Sequence, residues 1–60
     1  MAERFEIRLS TDGKYYFVLI APNGETIALS EMYNTKGSCF TGINAVKKYA
    51  ASAPIVDTTT

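Results

Sequence analysis

The amino-acid sequence predicts an α+β domain: a three-stranded antiparallel meander, one helix and a short C-terminal strand. Three observations carry that prediction. Phe5, Ile7 and Leu9 alternate with Glu6, Arg8 and Ser10, the period of two that marks a half-buried strand. Two turn signals, Thr11-Asp12-Gly13 and Pro22-Asn23-Gly24, separate this run from two further apolar runs. After Thr35 the apolar period lengthens to that of a helix, through Cys39, Ile43, Val46 and Ala50.

The first strand is expected over residues 4–10. The second, over 14–21, contains Tyr15-Tyr16-Phe17-Val18-Leu19-Ile20-Ala21, aromatic and β-branched types that suit a pleated surface. The third, over 25–30, contains Thr26-Ile27-Ala28-Leu29-Ser30. Each turn fits a three-residue hairpin loop, a type I turn followed by glycine in the left-handed region. Such loops set Ser10 opposite Lys14 and Ala21 opposite Glu25. Counting back, Phe5 faces Leu19, Ile7 faces Phe17 and Leu9 faces Tyr15. In the second hairpin Leu19 would face Ile27 and Phe17 would face Leu29. A two-residue loop would scatter these apolar residues over both faces.

The helix is expected over 36–50, with Thr35 as N-cap and Lys47 and Lys48 placed well for the helix dipole. Gly42 reads as a point of close helix-to-sheet packing. Ala53-Pro54 stops the helix, and residues 55–58 read as the fourth strand, ahead of a frayed tail at 59–60. That last strand can fold back on its own sheet or cross to a second copy.

Sixty residues make one domain, and a domain of this size buries only about 60% of the surface of its unfolded chain. Small domains compensate with disulfides, a metal or a partner chain. Cys39 is the only cysteine and there is no histidine, so association is the remedy the sequence leaves. No cofactor or metal is expected. Six basic and six acidic residues cancel, which argues against a nucleic-acid binder, whose affinity comes from surplus Lys and Arg. The longest apolar run is too short to span a bilayer, the polar N-terminus does not read as a signal peptide, and a lone thiol suits a reducing cytoplasm.

The residues Phe5-Glu6-Ile7, Asp12-Gly13-Lys14, Phe17, Leu19, Asn23-Gly24-Glu25, Ile27, Ser30-Glu31-Met32-Tyr33, Lys36, Gly42-Ile43, Val46-Lys47 and Ala53-Pro54 stand in a distinctive order and spacing. In these the chain resembles the YegP-like family of small uncharacterised bacterial proteins over nearly its whole length. The resemblance implies a β-β-β-α-β unit found as a tandem repeat or a homodimer, with one continuous sheet and exchanged C-terminal strands. It implies the homodimer for a single unit, with Ile55 and Val56 in the exchanged strand, and it brings no catalytic residues. The chain departs from the family at Gly37, Thr41, Ala45 and Tyr49, where relatives more usually carry Ala, Asn, Ser and Asn. It also places Val18 and Ile20 where relatives tend to be polar.

Candidate chemistry is sparse. Cys39 falls on the apolar stripe of the helix without a base to activate it, and reads as a small buried hydrophobe. Ser30, Glu31 and Tyr33 cluster at the strand-to-helix junction and form the candidate seam pocket, yet one loop carboxylate makes no acid-base pair. Asp12-Gly13 and Asn23-Gly24 are turn residues. Tyr16, Val18 and Ile20 project from the face of the sheet opposite the helix, with Arg8 beside them, as a candidate contact surface for an unknown protein partner or a second dimer. The bland alternative is that the stems of Arg4, Glu6 and Arg8 cover that strip. The expectation is a non-enzymatic homodimeric interaction module of unknown role. Its alternatives are a ligand or active site at the dimer seam, and weak single-strand nucleic-acid binding through Tyr16, Arg8 and Lys14.

Overall fold

The computed structural model describes residues 2–59; Met1 and Thr60 lie outside them, and with Thr60 one half of the expected tail. Three strands, β1 (Arg4–Leu9), β2 (Tyr15–Ile20) and β3 (Thr26–Leu29), form one antiparallel sheet in the order β1-β2-β3. A single helix, α1 (Lys36–Tyr49), follows. No described helix is long and apolar enough to cross a membrane.

Local chemistry sets the first hairpin. Ser10 N–H donates to Lys14 O at 2.8 Å, Gly13 N–H donates to Ser10 O at 3.1 Å, and Gly13 sits at φ 83°. Only glycine enters that region without steric cost, so Gly13 fixes a three-residue loop. The register follows from it: Phe5 opposite Leu19, Ile7 opposite Phe17 and Leu9 opposite Tyr15. The Ser10 hydroxyl also hydrogen-bonds Asp12, which holds that carboxyl below its ordinary range.

The second hairpin begins the same way. Ala21 N–H donates to Glu25 O at 2.8 Å, Gly24 N–H donates to Ala21 O at 2.9 Å, and Gly24 has φ 90°. Past the loop the register shifts. Ile20 faces Thr26, but Leu19 faces Ala28 and Val18 faces Leu29. Ile27 is the extra residue of a bulge, and one extra residue moves everything beyond it to the other face. The expected pairs Leu19–Ile27 and Phe17–Leu29 are therefore replaced. Leu29 lies on the face away from the helix and is 68% exposed.

Thr35 caps the helix, its Oγ1 accepting from Ser38 N–H at 3.1 Å. Cys39 and Ile43 on the buried stripe meet Phe17, and Phe5, Ile7, Tyr15 and Tyr33 pack around that cluster. Phe5 meets Phe17 edge-on, with ring centroids 5.9 Å apart. The core thus lies between the helix and the Phe17 face of β2. Cys39 is fully buried, and burial pushes its thiol pKa up, away from reactivity.

The C-terminal segment departs from expectation. Residues 53–59 carry no strand within the chain, so the strand expected at 55–58 does not form there. Ile55 is 98% exposed and Val56 75%. The near-complete exposure of adjacent β-branched residues is costly, by about 25 cal/mol for each Å² of apolar surface left in water.

Candidate functional site

The outer face of the sheet differs from expectation. Val18 and Ile20 are 1% and 3% exposed, so neither belongs to a contact surface. Position explains it: Val18 stands between Glu6 and Leu29, and Ile20 between Arg4 and Thr26, in the middle of the sheet. On the same face Arg4 and Arg8 converge on Glu6, at 2.7 and 2.9 Å. Hydrogen bonds from Arg8 first, then Arg4, hold the Glu6 carboxyl below its ordinary range. The charged side chains are tied to one another along β1. Of the four residues predicted for this surface, Tyr16 is half-buried and only Arg8 is exposed.

The predicted seam cluster is also divided. The Ser30 hydroxyl accepts the backbone N–H of Phe17 at 2.8 Å and donates to Glu31 O at 2.8 Å, while Ser30 N–H donates to Phe17 O at 3.0 Å. Ser30 therefore continues the ladder with its side chain where β3 ends, and its hydroxyl is engaged on both sides. Glu31 is exposed. Tyr33 pairs with Tyr15 through two backbone hydrogen bonds of 2.9 and 2.7 Å, and its ring stacks on Phe17 at 6.2 Å between centroids.

Of the three, only Tyr33 reaches a cavity. An open hollow of about 790 Å³ is lined by Tyr33, Thr35, Gly37, Ser38, Thr41, Gly42 and Ala45. It runs along one side of the helix. A Cβ at Gly42 would meet the Tyr33 hydroxyl, Tyr33 Cζ at 2.8 Å and Phe17 Cε2 at 3.2 Å, so glycine is required for that approach. The hydroxyls around the hollow have local partners. Thr35 Oγ1 caps the helix and bonds Ser38 Oγ at 2.9 Å, and Thr41 Oγ1 donates to Gly37 O at 3.1 Å. Sequence reasoning marked Gly42 for packing but missed the hollow, which exists only once Tyr33 is brought against the helix. Among the described residues no group of three or more His, Cys, Asp or Glu stands together to hold a metal ion.

With this geometry in view, comparison with known proteins is informative about family and silent about activity. Residues 10–57 match the family described as "Domain of unknown function (DUF1508)". The chain belongs to that family. It is 44% identical over 57 residues to a UPF0339 protein of Treponema denticola, covering 95% of this chain and 98% of that one. It is 42% identical over 57 residues to the UPF0339 protein YegP of Escherichia coli, where it spans 52% of the relative's length. An NMR solution structure of a protein from Haloferax volcanii superposes with a TM-score of 0.85 at 30% identity, covering 92% of this chain and 93% of that one. The YegP-like resemblance is thereby shown, together with three antiparallel strands and a helix. The relatives are uncharacterised, and the function of the chain is unknown.

Proposed function

We propose that the chain is a non-catalytic interaction module that works as a homodimer, each copy completing the other with its C-terminal segment. Surplus surface carries this reading. The chain exposes 4768 Å², whereas a compact monomer of its mass exposes about 3,900 Å². Its radius of gyration is 13.0 Å, against about 10 Å for a compact domain of this length. The surplus of about 900 Å² is close to the roughly 800 Å² that each partner buries in a standard interface.

The exposed residues suit such burial. Ile55 and Val56 are exposed in the C-terminal segment, and Ile27 and Leu29, at 63% and 68% exposure, lie on β3, whose outer edge meets no further strand among the described residues. An apolar edge of this kind is a template for another strand. A catalytic or ligand-binding reading gains no comparable support, since Ser30 is engaged in the ladder and Glu31 stands apart from the hollow. Single-strand binding is weakened by the same charge pairing that ties Arg8 to Glu6. The test is the solution mass of an Ile55→Asp/Val56→Asp chain beside that of the unaltered one. The reading requires a dimer for the unaltered chain and loss of association for the variant.

A further inference from the structure

We propose that the flank of α1 bearing Lys36, Phe40 and Lys47 docks a segment of another protein that carries an apolar side chain between acidic ones. The proposal rests on the interaction reading, to which it adds the chemistry of the partner, but not on the dimer. It starts from the distribution of charge. α1 holds three of the six basic residues and none of the six acidic ones, so it is a local excess of positive charge in a chain of zero net charge. Among the described residues the ion pairs join Arg4 and Arg8 to Glu6, and no acid pairs with Lys36, Lys47 or Lys48.

Helix geometry aligns these residues. At about 100° per residue, Lys36, Phe40 and Lys47 fall within about 40° of one another, along about 16 Å of helix. The row reads Lys, Phe, Lys and borders the buried stripe of Cys39 and Ile43. All three side chains are exposed, and Phe40 is 54% exposed even with the lysine stems in place. Stems draped over the ring would have covered it. The Lys36 Nζ stands 5.9 Å from the centroid of the Tyr15 ring, which holds that ammonium at the head of the row. Leu9, exposed and opposite Tyr15 in the register, adds apolar surface at the same end.

Other occupants fit this face less well. A two-fold contact between copies would set one lysine row against another, and like charges across an interface repel. A bilayer holds a surface helix by its apolar face, but here Cys39 and Ile43 already face the sheet. A nucleic acid draws affinity from a surplus of cations, and the net charge is zero. An acidic protein segment meets both features: its carboxylates answer Lys36 and Lys47, and an apolar side chain between them covers Phe40.

The test titrates a synthetic helical peptide into isotope-labelled full-length chain, with Glu, Leu and Glu at the spacing of Lys36, Phe40 and Lys47. NMR shifts map the contact, fluorescence anisotropy gives the affinity, and light scattering reports the assembly state. Circular dichroism checks that each variant is folded. Shifts should fall on residues 36–48, and binding should weaken about tenfold with Phe40→Ser and about threefold with Lys47→Gln. A chain carrying Lys36→Glu and Lys47→Glu should lose the acidic peptide and bind its lysine counterpart. No binding at all, shifts confined to the sheet, or an affinity indifferent to Phe40→Ser would overturn the proposal. So would tighter binding to phosphatidylserine vesicles or to a thymidine oligonucleotide. A failed titration on a chain that light scattering shows to be dimeric overturns this proposal and leaves the dimer standing; peptide binding by a monomer does the reverse.

Discussion

The side chain of Ser30 does the work of a backbone carbonyl, accepting the N–H of Phe17 at 2.8 Å where the β3 ladder ends. Phe17 is buried at the centre of the core, and this hydrogen bond is itself part-buried. Ser30→Ala should therefore cost about 1 kcal/mol, the net worth of a part-buried hydrogen bond whose donor is left unpaired. Denaturant unfolding measures it, and a change below about 0.5 kcal/mol would show that the bond carries little.

Two helix glycines should respond in opposite directions. At Gly42 an added Cβ meets Tyr33 and Phe17, and overpacking of roughly 1–3 kcal/mol outweighs a helix-propensity gain of about 1 kcal/mol. At Gly37 the Cβ meets nothing within 4 Å and φ is not positive, so the propensity gain of up to about 1 kcal/mol remains. Melting curves of Gly42→Ala and Gly37→Ala should shift down and up respectively.

Acid should weaken the fold through Glu6. Its folded-state pKa is lowered by Arg8 and Arg4, so its stabilisation is complete above the unfolded-state pKa and is lost as pH falls through the folded value. Asp12, lowered by Ser10, acts in the same direction. The stability-against-pH curve of Glu6→Gln should lie below that of the unaltered chain at neutral pH and converge on it in acid.

Cys39 should be silent in the folded protein. It is fully buried and burial raises its pKa, so thiolate is scarce and shielded. A thiol reagent should label it only at the rate of unfolding. Prompt labelling under native conditions would contradict the placement of Cys39 in the core.

The elements were legible because each has a local cause. Alternation marked β1, Gly13 and Gly24 fixed the loops, and Thr35 marked the start of the helix. The register of β1 with β2 followed from loop length alone. What escaped was the bulge at Ile27, since an extra residue in a strand leaves no mark in a four-residue run. That omission misplaced Leu29. The burial of Val18 and Ile20 escaped for a related reason: apolar residues on an outward face read as exposed until the flanking strands are set beside them. Tyr33 was singled out for chemistry, but its place against Gly42 needed tertiary structure.

The central claim is that the chain is completed by a second copy of itself. The solution mass by light scattering, on the full chain and on one ending at Ala53, tests it most directly. The account predicts twice the chain mass for the full protein, and dissociation or unfolding for the shortened one. A stable monomer in both cases would contradict it.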